Sequence, residues 1–268
     1  MLHQIKWNKK DRYMHYHRLA VSYKGTHYYG WQDIGEGEEK PTIERSIQKV
    51  LQHICKSTDC TIATASRTDA GVHALGQVIK VSIPLVITSE KLLLGMNSLL
   101  ADDIRILHCE ASTKAFNPNK DSKSKEYHYN FCTDSIHNPL LNDTAAHITS
   151  AKPLDIALMK EACKLFVGEH DFYSFAKRDT SMHTTIRTII SCEIVQQPTT
   201  FGSKVYSIKI VGEGFLRYMV RYMVGALFAL GKGEIELSDI VEALAHHKED
   251  KLSARAKARG LCLIEVSY

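Results

Sequence analysis

Several signatures of metal, disulfide and membrane proteins are missing from this sequence of 268 residues. It has seven cysteines, an odd number without any CxxC pair, and its 14 histidines include no HExxH motif. The first 17 residues are polar and contain no apolar core of a signal peptide. These absences predict a cytoplasmic protein with reduced thiols, and no metal site, membrane anchor or disulfide framework.

Low-complexity segments are also absent, and the composition is that of an ordinary globular protein, with 44% hydrophobic and 24% charged residues. The net charge of +4 is a weak indication of an anionic partner. Basic residues concentrate in KLSARAKAR (251–259), in KAFNPNKDSKSKEYH (114–128) and in KKDR near the start. Each run is either a solvated face or part of a nucleic-acid surface, and the recurrence of such runs keeps the second interpretation open.

Hydrophobic periodicity predicts the order β-α-β-β-α-β twice along the chain. In the first half, strands are expected at 17–23, 60–65, 75–83 and 103–109, with helices that begin at Thr42 and Ser89. In the second half, strands are expected at 125–132, 185–195, 203–211 and 260–266, with helices at 154–166 (ended by Gly168), 215–231 and 238–246.

This order predicts an α+β fold of two tandem ferredoxin-like halves, residues 16–113 and 114–268, whose sheets merge around a central basic cleft. Residues 1–15 form an N-terminal extension that we expect to be disordered.

The segment GFLRYMVRYMVGALFALG (214–231) is apolar almost all round, which is typical of a buried helix. Arg217 and Arg221 are four residues apart and share a face of it. Either both side chains reach the surface along their stems, or one of them meets a buried acid or a phosphate. Asp69 is a candidate partner, because two apolar strands flank its loop. By itself that loop is a turn with an ordinary local explanation.

The motif SRTDAGVHA (66–74), followed by GQV, resembles the active-site signature of the TruA family of tRNA pseudouridine synthases. Five further segments resemble family motifs in the same order along residues 17–268. They are YKGTHYYGWQ (23–32), KSKEYHY (123–129), GEHDFYSF (168–175), HTTIRTI (183–189) and GFLRYMVRYMVGAL (214–227).

The resemblance implies an isomerase that converts uridine to pseudouridine in the anticodon stem-loop of tRNA, at tRNA positions 38 to 40, without any cofactor. It makes Asp69 the nucleophile and Arg221 the partner that keeps Asp69 ionised. It places Tyr127 against the target base, and Arg67 in the gap that this base leaves in the RNA or against the RNA backbone. It also implies a homodimer. Arg217, Lys123 and Lys125 are expected to contact RNA, whereas His73 is expected to be a structural hydrogen-bonding residue.

Two segments depart from the family pattern. In FNPNKD (116–121), Asn119 and Lys120 stand where the family has Arg and Phe, and 34–41 is an acidic insertion. They leave open a shifted RNA target. A tRNA-binding or tRNA-folding protein without catalysis is a second alternative, and a glycosidase acting on free nucleosides is a third.

Overall fold

In the computed structural model, residues 14–32, 41–177, 184–198, 201–248 and 250–268 are described, and they form a ten-stranded sheet with five α-helices. The strands are β1 (His15–Tyr23), β2 (Thr61–Thr64), β3 (His73–Ile83), β4 (Ile104–Ala111), β5 (Ser124–Cys132), β6 (Ala146–His147), β7 (Gly168–Asp171), β8 (Ile186–Gln196), β9 (Val205–Gly212) and β10 (Leu261–Ser267). The helices are α1 (Ile43–Cys55), α2 (Ser89–Leu99), α3 (Ile156–Leu165), α4 (Met219–Lys232) and α5 (Leu237–Ala245). The predicted α+β class is confirmed.

One continuous sheet runs through both parts of the chain, in the order β4-β1-β3-β10-β5-β9-β8-β7. Short β2 pairs with β3, and β6 pairs with β5. The last strand, β10, joins the two parts, because Leu263 lies parallel to Ala74 of β3 and antiparallel to Tyr127 of β5. The start of β3 and the middle of β5 are therefore separated only by β10.

Alternation along the strands shows which side of the sheet is covered. Every second residue of β1 from His17 on and of β5 from Lys125 on is buried, and the apolar ones share one core cluster with the helices. The first helix forms as predicted, since Thr42 Oγ1 accepts from Arg45 N at 3.3 Å and Ile43, Ile47 and Leu51 are completely buried.

Three predicted helix boundaries were wrong. The N-cap of α2 is Thr88, whose hydroxyl accepts from Lys91 N, and not Ser89. Helix α3 ends at Leu165, whereas Gly168 (φ +110°) opens β7. Helix α4 begins at Met219 rather than at 215, because Tyr218 adopts the left-handed conformation (φ 66°) that ends helical geometry in that direction.

The strands β6 and β7 were not predicted, because two and four residues are too few for an alternating pattern. The expectations for the N-terminal extension and for the acidic insertion fall largely on residues 1–13 and 33–40, which lie outside the described part of the chain.

Helix α4 buries eleven of its 14 residues inside the protein. None of the described helices is both long and apolar enough to cross a membrane.

Candidate active site

The loop that carries Asp69 is held from β3 by the side chain of Gln77. Its Nε2 donates to Ser66 O at 2.6 Å, and its Oε1 accepts from Ser66 N at 3.2 Å. Gln77 is fully buried. Beside it, the hydroxyls of Tyr23 and Thr68 lie 2.7 Å apart. These buried bonds fix the backbone three residues before Asp69 and at its immediate neighbour.

A second support comes from the segment after β1. Trp31 N donates to Thr68 O at 3.0 Å, and Gly71 N donates to Tyr28 O at 3.3 Å. Gly30 has φ +92°, and a Cβ there would lie 2.6 Å from Thr68 O, so only glycine fits. Gly71 has φ +78° and completes the turn in which Val72 N donates to Asp69 O. The loop is therefore a pre-formed turn that presents one carboxylate.

Asp69 and Arg221 meet as the sequence suggested. Arg221 Nη1 donates to Asp69 Oδ2 at 3.2 Å, and the two side chains are only 12% and 18% exposed, respectively. Arg221 Nε donates to Ala256 O at 2.8 Å, while Ala256 N donates to Arg221 O at 3.0 Å. The guanidinium is thus oriented by the segment before β10 and aimed at the carboxylate.

The pKa of Asp69 is raised above its ordinary value, because burial disfavours the charged form. Arg221 opposes this effect through its charge and its hydrogen bond, and Arg217 and Arg255 add smaller opposing contributions. The expectation that Arg221 would set the ionisation of Asp69 was therefore incomplete, since burial has the larger effect. Desolvation strengthens a carboxylate as a nucleophile, and Arg221 favours the ionised form that such a role needs.

Tyr127 lies in β5 beside the same loop. Its hydroxyl is 2.7 Å from Ser66 Oγ, and its ring packs edge-on against Phe215 with centroids 5.1 Å apart. Burial raises the pKa of Tyr127 to about 12, the hydrogen bond to Ser66 lowers it, and the Asp69 charge raises it. The phenol therefore stays protonated at neutral pH and can donate or accept a hydrogen bond.

The other predicted contact residues lie in different environments. Arg67, Lys123 and Arg217 are exposed, and the Arg67 side chain has no bonding partner within the described residues. Lys125 is only 8% exposed and donates to Ala65 O at 2.8 Å and to Asn119 Oδ1 at 2.9 Å. This placement gives Lys125 a structural role, and its RNA contact stays a prediction.

Hydrogen bonds of Asn119 and Asn117 hold the FNPNKD segment, which differs from the family pattern. Its side chain turns inward to Lys125, while its backbone N–H and that of Lys120 donate to Asn117 Oδ1. Where the family pattern has a long cation, this chain has Asn119, whose amide oxygen accepts from Lys125, and the exposed Lys120 is the nearest cation that follows.

His73 occupies the structural position expected of it. Its Nδ1 accepts from Gly25 N at 3.1 Å, and its Nε2 lies 3.1 Å from Arg259 O, which fits one neutral tautomer. Burial lowers the pKa of His73, in agreement with that tautomer. No cluster of three or more potential metal ligands occurs among the residues that the structure describes.

Sequence reasoning missed three residues at this site. Gln77 belongs to the GQV that follows the signature, but polar side chains in a strand give no sign of pairing with a backbone. Tyr218 and Arg255 lie beside the Asp69–Arg221 pair, with the Arg255 guanidinium 4.0 Å from the centre of the Tyr218 ring. The basic run 251–259 was noticed, yet its proximity to Asp69 depends on the long-range return of β10 to the sheet centre.

Comparison with known proteins agrees with this geometry. A family model described as tRNA pseudouridine synthase matches residues 19–112 and 162–268, more than half of the chain. The tRNA pseudouridine synthase A 2 of Desulfotalea psychrophila is 48% identical, over 94% of this chain and 98% of its own. The tRNA pseudouridine synthase A of Thermodesulfovibrio yellowstonii is 34% identical, over the same shares of both chains.

Among solved structures, an archaeal box H/ACA sRNP Nop10–Cbf5 complex aligns with 98% of this chain and 54% of that chain, at 12% identity. Its TM-score of 0.31 is too low to support an argument. The family model and the close relatives decide the assignment instead. Taken with the Asp69–Arg221 pair in the SRTDAGVHA loop, they show that this chain belongs to the tRNA pseudouridine synthase family, whose members are isomerases.

Proposed function

We propose that this protein isomerises uridine to pseudouridine in the anticodon stem-loop of tRNA, at tRNA positions 38 to 40, with Asp69 as the nucleophile. The observation that supports this most strongly is the desolvated Asp69 carboxylate held 3.2 Å from Arg221, in a loop that matches the family signature. The names of the relatives support tRNA as the substrate.

The chemistry is an internal rearrangement. The N1–C1′ bond of uridine breaks, the base rotates, a C5–C1′ bond forms, the C5 proton leaves and N1 gains a proton. Substrate and product are isomers, so no electron or group has to be supplied from outside. Asp69 can form the transient bond to the ribose C1′ or to the base C6, and both routes need its ionised form.

Arg221 favours that ionised form against the effect of burial. Tyr127 lies against the loop, with its hydroxyl on Ser66. Because the high pKa of Tyr127 keeps the phenol protonated, it can receive the C5 proton only as it passes its own proton along the hydrogen bond to Ser66. The target base must leave its stack to reach either group, which costs a few kcal/mol. Arg67, exposed and two residues before Asp69, is suited to fill the space that the base leaves.

We also propose that residues 16–113 and 114–268 are two tandem ferredoxin-like halves around a basic cleft. The four longest strands of each part, numbered along the chain, have the spatial order fourth, first, third, second: β4-β1-β3-β2 in the first part and β10-β5-β9-β8 in the second, to which the short β6 and β7 are added. The site then lies between the halves, with Asp69 from one and Tyr127 and Arg221 from the other. The resemblance to the family supports a homodimer. The seven unpaired cysteines support a cytoplasmic location.

Release of tritium from tRNA labelled at uridine C5 tests this function, because formation of the C5–C1′ bond displaces the C5 hydrogen. We expect release from tRNA and none from free uridine, and no release by the Asp69→Asn variant. A wild-type protein that binds tRNA without releasing tritium would be an RNA-binding protein. Activity on free uridine would indicate a nucleoside-directed enzyme.

A further inference from the structure

Tyr218, immediately before α4, is held in a conformation that bulky residues rarely adopt. Its backbone has φ 66° and ψ 3°, and it is one of three non-glycine residues with positive φ among those described. Such geometry persists only where its surroundings enforce it, and it occurs preferentially at functional sites. Here the phenol ring lies close to the guanidinium groups of three arginines.

The three guanidinium groups surround that ring. Arg255 lies 4.0 Å from the ring centroid, Arg217 lies 5.0 Å away and Arg221 lies 5.7 Å away. Arg217 Nη2 also donates to the Tyr218 hydroxyl at 3.2 Å. Burial raises the pKa of Tyr218, but the hydrogen bonds from Arg255 and Arg217 outweigh it, and the net pKa is lowered.

The charges in this cluster do not balance. Asp69 pairs with Arg221, whereas neither Arg217 nor Arg255 has a carboxylate within ion-pair distance in the described part of the chain. Both are exposed. The cluster therefore holds two positively charged guanidinium groups besides that of Arg221, which Asp69 neutralises. A guanidinium group can donate two parallel hydrogen bonds to a pair of phosphate oxygens.

The position of Arg255 is fixed by the catalytic pair itself. Its neighbour Ala256 exchanges two hydrogen bonds with Arg221, and Tyr129 OH donates to Lys257 O at 2.9 Å on the other side. The basic run 251–259 is therefore tied to the residue that holds Asp69. Its Arg255 guanidinium lies against the Tyr218 ring and is close enough to Asp69 for its charge to favour the ionised carboxylate.

We propose that Arg217 and Arg255, with the Tyr218 ring as the platform between them, bind an RNA phosphodiester that flanks the target uridine. The phosphates of a nucleotide whose C1′ or C6 reaches Asp69 lie next to its sugar. Arg217 and Arg255, which no carboxylate neutralises in the described part of the chain, are close enough to Asp69 for their charges to act on it. That the ligand is RNA rests on the proposed function. That it is bound through a phosphate is inferred from the arginines around Tyr218.

Salt dependence of RNA binding gives the first test. Binding of an anticodon stem-loop RNA is measured against KCl concentration for the wild type, Arg255→Ala, Arg255→Lys and Lys232→Ala. Lys232 ends α4 and is the control for a cation remote from the site, because at about 1.5 Å per residue it lies about 16 Å from Arg221 along the helix and is paired with Glu234 at 3.8 Å. Arg255→Ala should bind about 5- to 10-fold more weakly, with a log–log salt slope lower by roughly 0.7 to 0.9, the amount for one phosphate contact.

Arg255→Lys keeps the charge and should keep the slope, and Lys232→Ala should behave as the wild type. Because Arg255 is exposed, its variants should fold, and circular dichroism checks this. A slope unchanged in Arg255→Ala would overturn the proposal. Inorganic phosphate at equal ionic strength should compete no better than chloride. Competition that disappears in Arg255→Ala would assign the site to free phosphate instead of RNA.

Neutralising the phosphate gives the second test. Each linkage that flanks the target uridine is replaced in turn by an uncharged methylphosphonate, with a 2′-O-methyl group on the nucleotide whose 3′ oxygen carries it. RNA with that 2′-O-methyl group and a normal phosphate is the control. One replacement should weaken binding by the wild type and have no further effect on Arg255→Ala. Equal losses for both proteins would overturn the proposal. Binding needs no turnover, so a protein that passes these tests but releases no tritium would lose only its proposed activity.

Discussion

Removing Arg221 should destabilise the protein, by an amount that follows from its contacts. In Arg221→Ala, Asp69 loses its only ion-pair partner in the described residues, and Ala256 O loses a donor at 2.8 Å. Breaking a buried pair costs about 3 to 5 kcal/mol. Because the Asp69 side chain keeps 18% exposure, the lower end applies, about 3 kcal/mol. In a protein of this size that lowers Tm by roughly 6 to 12 °C.

Urea unfolding, followed by tryptophan fluorescence, to which the buried Trp31 next to the loop contributes, measures this loss. Arg217→Ala is the matched control, because this exposed arginine lies four residues earlier without a carboxylate partner in the described region, and it should change stability by less than about 0.5 kcal/mol. Asp69→Asn in the Arg221→Ala background should recover part of the loss, since no charge is then buried. An Arg221→Ala protein as stable as the wild type would refute the reasoning, because the pair would then contribute nothing to the fold.

The remaining predictions concern residues around the pair. Tyr127→Phe removes the hydroxyl on Ser66 and should reduce kcat by about 100-fold or more, with tRNA affinity within about threefold; an unchanged kcat would exclude a proton-transfer role. Gln77→Ala leaves the backbone N–H and C=O of Ser66 unpaired. We expect the variant to lose about 2 kcal/mol of unfolding free energy and to have a lower kcat. A loss below about 0.5 kcal/mol would show that water replaces the amide. Burial lowers the pKa of Lys125 to about 8, below its unfolded value, so the unfolded state binds more protons above that pH. The wild type should therefore gain stability relative to Lys125→Met between pH 8 and about 10.4, in urea titrations at each pH, and parallel curves would contradict the shift.

The elements most accessible to sequence reasoning were those with a long, regular pattern. The apolar spacing in α1 and the alternation in β1 and β5 predicted their elements to within two residues at each described boundary. The start of α4 was placed four residues too early, because the apolar run continues through Phe215 and Leu216 while the backbone does not. Left-handed geometry at a tyrosine has no local sequence signal, because a tyrosine rarely adopts it and nothing in the apolar pattern marks the position.

Only part of the candidate site could likewise be predicted from the sequence. The pairing of Asp69 with Arg221 was suggested by an arginine on an apolar helix and a carboxylate between core strands, and the structure confirms it. The raised pKa of Asp69 was not foreseen, because burial depends on everything packed around the loop. Arg255 was seen only as part of a basic run, and its place beside Asp69 depends on β10 pairing with both β3 and β5.

The most direct test of the central claim is tritium release from tRNA labelled at uridine C5, compared between the wild type and Asp69→Asn. The substitution keeps the shape of the side chain and an acceptor for Arg221, but it removes the nucleophilic charge. We predict turnover by the wild type and none by the variant, with tRNA affinity within about tenfold of the wild type, the scale of about 1.4 kcal/mol. Full turnover by Asp69→Asn would contradict the assignment of Asp69 as the nucleophile.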